Sequence, residues 1–255
     1  MQVQQRTSAD MRAITISREY GSGGGEIAVR LARRLNWQLI DHEVVVRVAR
    51  DLGVTEAEAA AHDEYTQSLL ERILISMQGV DPAMLAVTPV PLLVTSEQTY
   101  HKALTRVVEA AVARGHAVIV GRGGQMILQG RRDVFHLRVV APLEARITYA
   151  MRREGLSQED AQARIQFKDR DRMHYLQAEY HRSLDDAHLY DLIVNTGVLD
   201  LDSAIDLVSL ALERKASQLD LPLEALGPGA GVSRYPQQPG DFRPPEDLTG
   251  PAPTS

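Results

Sequence analysis

A glycine cluster between an apolar run and a helical pattern is the first feature of this sequence that could do chemistry. Residues 13–28 read AITISREYGSGGGEIA. Glycines in a strand-to-helix turn permit positive φ angles and let backbone N–H groups converge on an anion, while the helix N-terminus adds partial positive charge. The stretch predicts a phosphate-binding loop, and a merely flexible turn is the alternative. The candidate phosphate-binding residues are Gly21, Ser22, Gly23, Gly24, Gly25 and Glu26.

The loop lacks the lysine that phosphate-binding loops usually carry. In the standard pattern G-x-x-x-x-G-K-[ST], the first glycine is here Arg18, and the lysine and hydroxyl residue fall on Gly24 and Gly25. Phosphoryl transfer depends on cations around the phosphate oxygens. Other residues must therefore supply the charge, and Arg18 is the nearest candidate, with a solvated loop arginine as the alternative. For Mg²⁺, Ser22, Asp41 or the substrate would have to replace the missing hydroxyl.

The composition is that of an ordinary globular protein without thiol chemistry. Hydrophobic residues make up 44% and charged residues 24% of the 255 positions, which is typical of soluble proteins. The net charge of -6 argues against a general nucleic-acid-binding surface, and the absence of cysteine excludes disulfides and thiolate zinc sites. The first twelve residues contain no apolar core of a secretory signal, so none is expected, and no apolar run approaches the roughly 18 residues that span a bilayer. We therefore expect a cytoplasmic protein with no membrane partner.

Short apolar runs alternate with helical patterns and predict an α/β fold. Predicted strands cover 13–17, 38–41, 117–121, 134–140 and 189–195. Predicted helices cover 26–35, 97–114, 142–154, 158 to about 180, and a closing segment around 201–212. Such an alternation indicates a parallel sheet with helices on both faces, whose ligands bind at the carboxyl ends of the strands. Ser157 and Asp160 resemble a capping box.

The chain divides into a flexible N-terminus (1–11), a folded body (12–220) and a tail (221–255). The tail holds eight of the twelve prolines. A segment of this kind can neither continue a helix nor bury enough apolar surface to offset its ordering entropy. We therefore predict that the tail is disordered.

Several segments, in order, resemble the cytidylate-kinase-like family, a branch of the P-loop nucleoside monophosphate kinases. ITISREYGSGGGEIAVRLARRL resembles the opening of the family, and VIVGRGG resembles the segment after its third strand. VVAPLEARITYAMRREGLS resembles the strand and arginine-bearing helix before the lid, and the likeness ends in DRDRMHYLQAEY and YDLIVNTGVLDLDSAIDLV. Two positions depart from the family. Gly25 stands where many relatives have arginine, and Gly123 replaces the aspartate of a Gly-Arg-Asp segment.

The resemblance implies a three-layer P-loop NTPase-like fold. Its parts are a five-stranded parallel sheet, helices on both faces, a helical NMP-binding insert at about 42–113 and a lid at about 155–185. It also implies phosphoryl transfer from ATP to CMP or dCMP with Mg²⁺, and a nucleotide substrate as partner. The candidate catalytic residues are Arg18, Arg153, Arg170 and Arg172, and the candidate substrate-binding residues are Asp41, Arg122 and Asp169.

Several of these residues also have a structural interpretation. The charge run containing Arg170 and Arg172 could be a solvated surface, and Asp41 could cap the following helix. Arg146, on the same predicted helix as Arg152 and Arg153, is interpreted as solvent-facing. No residue is assigned as a metal ligand, because the eight histidines show no ligand spacing.

Two functions from different classes fit this sequence. The first is an active nucleoside monophosphate kinase that uses arginines in place of the loop lysine. The second is a catalytically degenerate module that binds a nucleotide or another anion. The altered loop and the missing Gly-Arg-Asp favour the second, whereas the DRDR segment and the arginine helix favour the first. A Rossmann site is a poor alternative, because Glu26 stands in place of its third glycine.

Overall fold

Five parallel strands form one sheet at the centre of the protein. The computed structural model describes residues 8–41, 97–228 and 230, without the side chains of 97–103. The sheet has the order β2-β3-β1-β4-β5, and every pairing is parallel. This confirms the predicted α/β class and the five-stranded parallel sheet. The strands are β1 (Ala13–Arg18), β2 (Gln38–Ile40), β3 (Ala117–Val120), β4 (Val134–Val140) and β5 (Leu192–Asn195).

Five of the six described α-helices follow the predicted positions, whereas the short helix at Gly124–Ile127 was not predicted. Helix α1 begins at Gly24, two residues before the predicted start, because Gly23 adopts a φ of 75° and forms the N-cap. Ser157 caps α5 as predicted, accepting a hydrogen bond from the Asp160 backbone N–H at 3.1 Å. Strand β5 is shorter than predicted, because Leu189 belongs to a short 3₁₀ turn. The helices are α1 (Gly24–Leu35), α2 (Glu97–Arg114), α3 (Gly124–Ile127), α4 (Leu143–Glu154), α5 (Gln158–Tyr180) and α6 (Leu201–Ser217).

The sheet buries apolar side chains on both faces. On one face, residues of β1 and β4 such as Ile16 and Leu137 pack with Leu31 of α1 and Val208 of α6. On the other face, alternate strand residues pack against α2, where Val107 is fully buried. The helices thus form the outer layers of a three-layer fold, as the pattern of alternating strands and helices predicts.

Some predictions concern residues that the structure describes only in part. Most of the predicted insert (42–113) lies outside the described residues, apart from α2 and the residues around it. Most of the tail (221–255) also lies outside them, and its described start contains a 3₁₀ turn at Leu223–Ala225. Near the N-terminus, Met11 is fully buried. None of the described helices combines the length and apolar character needed to cross a membrane.

One carboxylate on α5 ties this helix to the glycine turn. Asp169 accepts a hydrogen bond from the Tyr20 backbone N–H at 2.8 Å and a second one from Arg146. Arg146 also donates to the Tyr20 carbonyl at 3.3 Å, and its side chain is only 12% exposed. The interpretation of Arg146 as solvent-facing is therefore wrong. Its charge can be buried between α4, α5 and the turn because Asp169 neutralises it there.

Tyr20 extends this connection to both helices. Its hydroxyl donates to Glu154 at the end of α4 over 2.8 Å, and Arg164 of α5 donates to the other oxygen of Glu154 over 2.6 Å. The guanidinium of Arg172 lies 5.6 Å from the centre of the Tyr20 ring. The first residues of the turn are thereby fixed against α4 and α5, which places α5 over the end of β1.

We predict that Asp169→Ala lowers the free energy of unfolding by about 2 kcal/mol, because it leaves the charge of Arg146 buried without its carboxylate. Chemical denaturation measures this loss. The matched control is Glu213→Ala, which removes an exposed carboxylate from α6 and should change the unfolding free energy by less than about 0.5 kcal/mol. Equal losses in the two variants would contradict the proposed anchoring.

A buried histidine lies inside the sheet. His136 of β4 is 8% exposed, and its Nδ1 is 2.7 Å from the hydroxyl of Thr15. Burial lowers its pKa from 6.5 to about 4, the carboxylate of Asp191 acts in the opposite direction, and Lys215 adds to the lowering. Lys215 also donates to Asp191 over 2.6 Å, which leaves less negative charge to stabilise a protonated ring. His136 is therefore neutral at pH 7.

We predict that the free energy of unfolding decreases as the pH falls from about 6.5 to about 4. In this window the unfolded chain binds a proton at position 136 that the folded protein does not, so stability rises with pH and is lost as pH falls, by about 3 kcal/mol in total. Denaturation at several pH values in His136→Gln should show a smaller slope. The exposed His174 provides the control His174→Gln, which should keep the full slope; a reduced slope there would refute the assignment.

Candidate functional site

The glycine turn has the backbone geometry of an anion-binding loop. Gly21 and Gly23 have φ angles of 81° and 75°, a conformation that residues with a Cβ atom rarely adopt. A Cβ atom on Gly21 would lie 2.8 Å from the carbonyl oxygen of Arg146, so the turn also needs glycine for space. The first N–H groups of α1 have no acceptor within the helix. They lie at the positive end of the helix dipole, which favours anions.

The polar side chain of the turn has a structural role. The Ser22 hydroxyl donates to the carbonyl oxygen of Glu19 at 2.9 Å and lies 3.3 Å from that of Val139. Ser22 is 3% exposed, and its own carbonyl accepts a hydrogen bond from Thr196 at 2.7 Å. The hydroxyl is thus used to hold the turn on β4, and it does not fit as a ligand for Mg²⁺.

Elsewhere in the described residues, the side chains also do not form a metal site. They contain no group of three or more histidine, aspartate or glutamate side chains that could hold a metal ion. Because Mg²⁺ keeps several waters and binds substrate phosphates, a nucleotide complex does not need a complete protein site. The requirement for Mg²⁺ stays a prediction from the resemblance.

A cavity of about 230 Å³ lies at the carboxyl ends of β1 and β3, against α5. Four cationic side chains and one carboxylate line it, together with polar groups that include Ser17, Gln125 and Tyr175. Parallel sheets present their ligands at this edge, and the excess of positive charge selects for an anionic one. The charged residues of this cationic cavity are Arg18, Arg122, Lys168, Asp171 and Arg172.

Three cations of the cavity, Arg18, Arg122 and Arg172, lie close together and are partly buried, whereas Lys168 is exposed. The pKa of Arg18 is lowered to about 10, mainly by burial and then by the charges of Arg172 and Arg122, while Asp41 acts in the opposite direction. Burial likewise lowers the pKa of Arg122 and of Arg172. Arg18 remains charged at neutral pH, since a value of about 10 lies well above 7, and a guanidinium is in general not deprotonated in proteins. Crowded, partly desolvated cations of this kind are stabilised by a bound anion.

Arg122 reaches the cavity from an unusual stretch of backbone. Gly121, Arg122 and Gly123 follow β3 with φ angles of 73°, 60° and 64°. Three consecutive left-handed residues turn the chain sharply, and the arginine among them is strained, which is common at functional sites. A Cβ atom on Gly123 would lie 2.9 Å from the ring of Tyr180. This contact explains why the chain has glycine where the resemblance leads one to expect aspartate.

The structure brings together some of the predicted site residues and separates others. Arg18, Arg122 and Arg172 line one cavity, and Asp41 is close enough to Arg18 to raise its pKa. Asp169 does not line this cavity; its two oxygens bind Tyr20, Arg146 and Arg172.

Two other predicted residues lie away from the cavity. Arg153 is 66% exposed, and its guanidinium is 3.4 Å from Glu26 at the start of α1. Glu26 also binds Arg30 over 2.9 Å. Arg170 is exposed and lies on the face of α5 opposite the lining residues, because two residues correspond to about 200° around a helix.

Sequence reasoning missed Lys168. It lines the cavity beside Asp171, Arg172 and Tyr175. The spacing of 168, 171, 172 and 175 is that of a single helical face, so the periodicity of α5 contained the signal. The charged segment DRDR predicts a role for Arg170 instead, but Arg170 does not lie on this face of the helix.

Comparison with known proteins supports the resemblance to the cytidylate-kinase-like family. A model of the cytidylate kinase-like family matches residues 13–198. A cytidylate kinase from Ignicoccus hospitalis is 25% identical over 203 residues, which cover 79% of this chain and 99% of that protein. A uronate isomerase from Corynebacterium glutamicum is 32% identical over 111 residues, or 44% of this chain, but the match spans only 21% of the isomerase.

One solved structure shows a similar fold, and a second is given for comparison only. An uncharacterized protein from Eubacterium ventriosum superposes with a TM-score of 0.56 at 21% sequence identity, covering 79% of this chain and 98% of that one. A shikimate kinase from Acinetobacter baumannii in complex with shikimate gives a TM-score of 0.42 at 14% identity, over 78% of this chain and 92% of that one. Because the family model covers well over half of the 255 residues, the chain belongs to the cytidylate kinase-like family.

Proposed function

We propose that this protein is an ATP-dependent, nucleoside monophosphate kinase-like phosphotransferase that acts on CMP, dCMP or a related small acceptor. The observation that carries the proposal is the cationic cavity, in which Arg18, Arg122 and Arg172 converge at the carboxyl ends of β1 and β3. Membership of the cytidylate kinase-like family supports a nucleotide as the ligand. A cytoplasmic location and the absence of nucleic-acid or membrane partners stay predictions.

In this proposal the arginines bind and orient phosphate groups. Arg122 and Arg172 hold the phosphate of the acceptor, and Arg18 lies between them and the glycine turn. Transfer breaks the bond between the terminal phosphorus of ATP and its bridging oxygen, forms a bond from that phosphorus to an acceptor phosphate oxygen, and releases ADP. Charge spreads over the phosphoryl oxygens during this step, and fixed guanidinium groups stabilise it. The partial burial of the cations strengthens their effect.

A second candidate function is nucleotide or anion binding without transfer. Two observations favour it: glycine occupies the lysine position of the loop at Gly24, and the Ser22 hydroxyl is used within the turn. A loop of this composition can still bind phosphate through its backbone N–H groups. Such a protein would act as a sensor or as a partner-binding module of the same fold.

An assay of ADP release distinguishes the two functions. The protein is mixed with ATP, Mg²⁺ and each member of a panel of nucleoside monophosphates that includes CMP and dCMP. The kinase proposal expects an acceptor-dependent release of ADP well above the rate without acceptor. If no acceptor accelerates ADP release while calorimetry detects ATP binding, the binding module is the correct function.

We predict that Arg122→Ala and Arg172→Ala each lower kcat/KM by about 10- to 1,000-fold, the usual effect of losing one charge contact to the transition state. The sequence alone predicts a similar loss for Arg170→Ala, but its position on the outer face of α5 leads us to expect a smaller one than for Arg172→Ala. The matched control is Arg33→Gln, which removes an exposed cation from α1. Steady-state kinetics that show wild-type values for both cavity variants would refute the role of the cavity.

A further inference from the structure

The side chain of Arg18 fills the space that a side chain at position 24 would need. A Cβ atom built on Gly24 would lie 2.7 Å from Cβ and 3.2 Å from Cγ of Arg18, and 3.4 Å from Cβ of Val139. Non-bonded carbon atoms approach to about 3.5–4.0 Å at their optimal separation. A side chain at position 18 and one at position 24 therefore exclude each other in this fold.

The same two positions differ from the standard phosphate-binding loop in a complementary way. That loop has glycine at the position of Arg18 and lysine at the position of Gly24. We propose that the cation and the glycine have exchanged places at these two positions, an arrangement called here the exchange. Arg18 supplies, from the end of β1, the phosphate-binding cation that the loop lysine of the standard loop supplies from the start of the helix. This inference rests on the proposed function and specifies how its phosphate site works without a loop lysine.

A second glycine accommodates the charged end of Arg18. Gly121 has a φ of 73°, and a Cβ atom there would collide with Nη1 of Arg18. The stem of Arg18 thus passes over Gly24, and its guanidinium lies against Gly121 at the end of β3. There it shares the cavity with Arg122 and Arg172. The exchange keeps a cation beside the start of α1, between the glycine turn and the two arginines proposed to bind the acceptor, where the terminal phosphate of ATP would have to lie for transfer.

The steric part of the exchange is tested by a double-mutant cycle. Gly24→Ala should lower the midpoint of thermal unfolding by roughly 3–8 °C when Arg18 is present, because the added Cβ overpacks the contact. In the Arg18→Gly background the same change should leave the midpoint equal or higher, since alanine is favoured over glycine in a helix. Gly25→Ala is the matched control, because a Cβ there has open space. Equal decreases in both backgrounds would overturn the exchange.

The functional part is tested by moving the cation back to the helix. Arg18→Gly should weaken ATP binding, measured by calorimetry with Mg²⁺, by at least about tenfold. The double variant Arg18→Gly/Gly24→Lys should restore most of that affinity, whereas Arg18→Gly/Glu213→Lys, which adds its lysine at an exposed position of α6, should not. The exchange is refuted if the first double variant binds ATP no better than Arg18→Gly, or if both double variants recover equally.

The same measurements separate a failure of the exchange from a failure of the proposed function. A wild-type protein that binds ATP in an Arg18-dependent manner but transfers no phosphate to any acceptor would end the kinase proposal and support the exchange. A wild-type protein that binds no ATP would overturn both. Phosphate transfer that is unaffected by Arg18→Gly would support the kinase and overturn the exchange.

Discussion

The concentration of positive charge at one edge of the sheet is the constraint on which the rest of the site depends. Arg18, Arg122 and Arg172 repel one another, and burial weakens the hydration that would otherwise compensate. The single carboxylate that lines the cavity cannot balance four cations. The fold keeps this arrangement because strong local contacts hold each element that carries a charge. A bound anion offsets part of the unfavourable electrostatic free energy of these clustered cations.

The contacts that hold the charges lie beside the cavity. Asp169 connects α5 to the Tyr20 backbone and to Arg146, and Arg172 donates to the carbonyl of Arg18 at 3.3 Å. The strand end and helix α5 therefore share hydrogen bonds across about 150 residues of sequence. The side chain of Arg172 is positioned by the uncharged carbonyl oxygen of Arg18 and by the carboxylate of Asp169. Arg146 is the clearest case of a cation whose role is architectural, since it is largely buried and donates to Asp169 and to the Tyr20 carbonyl next to the turn.

Local patterns in the sequence predict most of the framework. The five strands, the capping of α5 by Ser157 and the glycine turn follow from apolar runs, cap residues and glycine positions, all of which act over a few residues. The burial of Arg146 could not be predicted, because it depends on a carboxylate 23 residues away. Nor could the contact of Arg18 with Gly24, which is visible only once the strand and helix are folded against each other. Lys168 could have been predicted from the sequence, because its spacing from Asp171, Arg172 and Tyr175 places it on the same face of α5.

The packing of Gly123 against Tyr180 has a consequence for how this family can diverge. The ring occupies the volume that any larger residue at position 123 would need. A descendant could acquire an acidic group there only if the ring of Tyr180 also moved or became smaller. The two positions are therefore coupled and should covary among homologues, even though 57 residues of chain separate them.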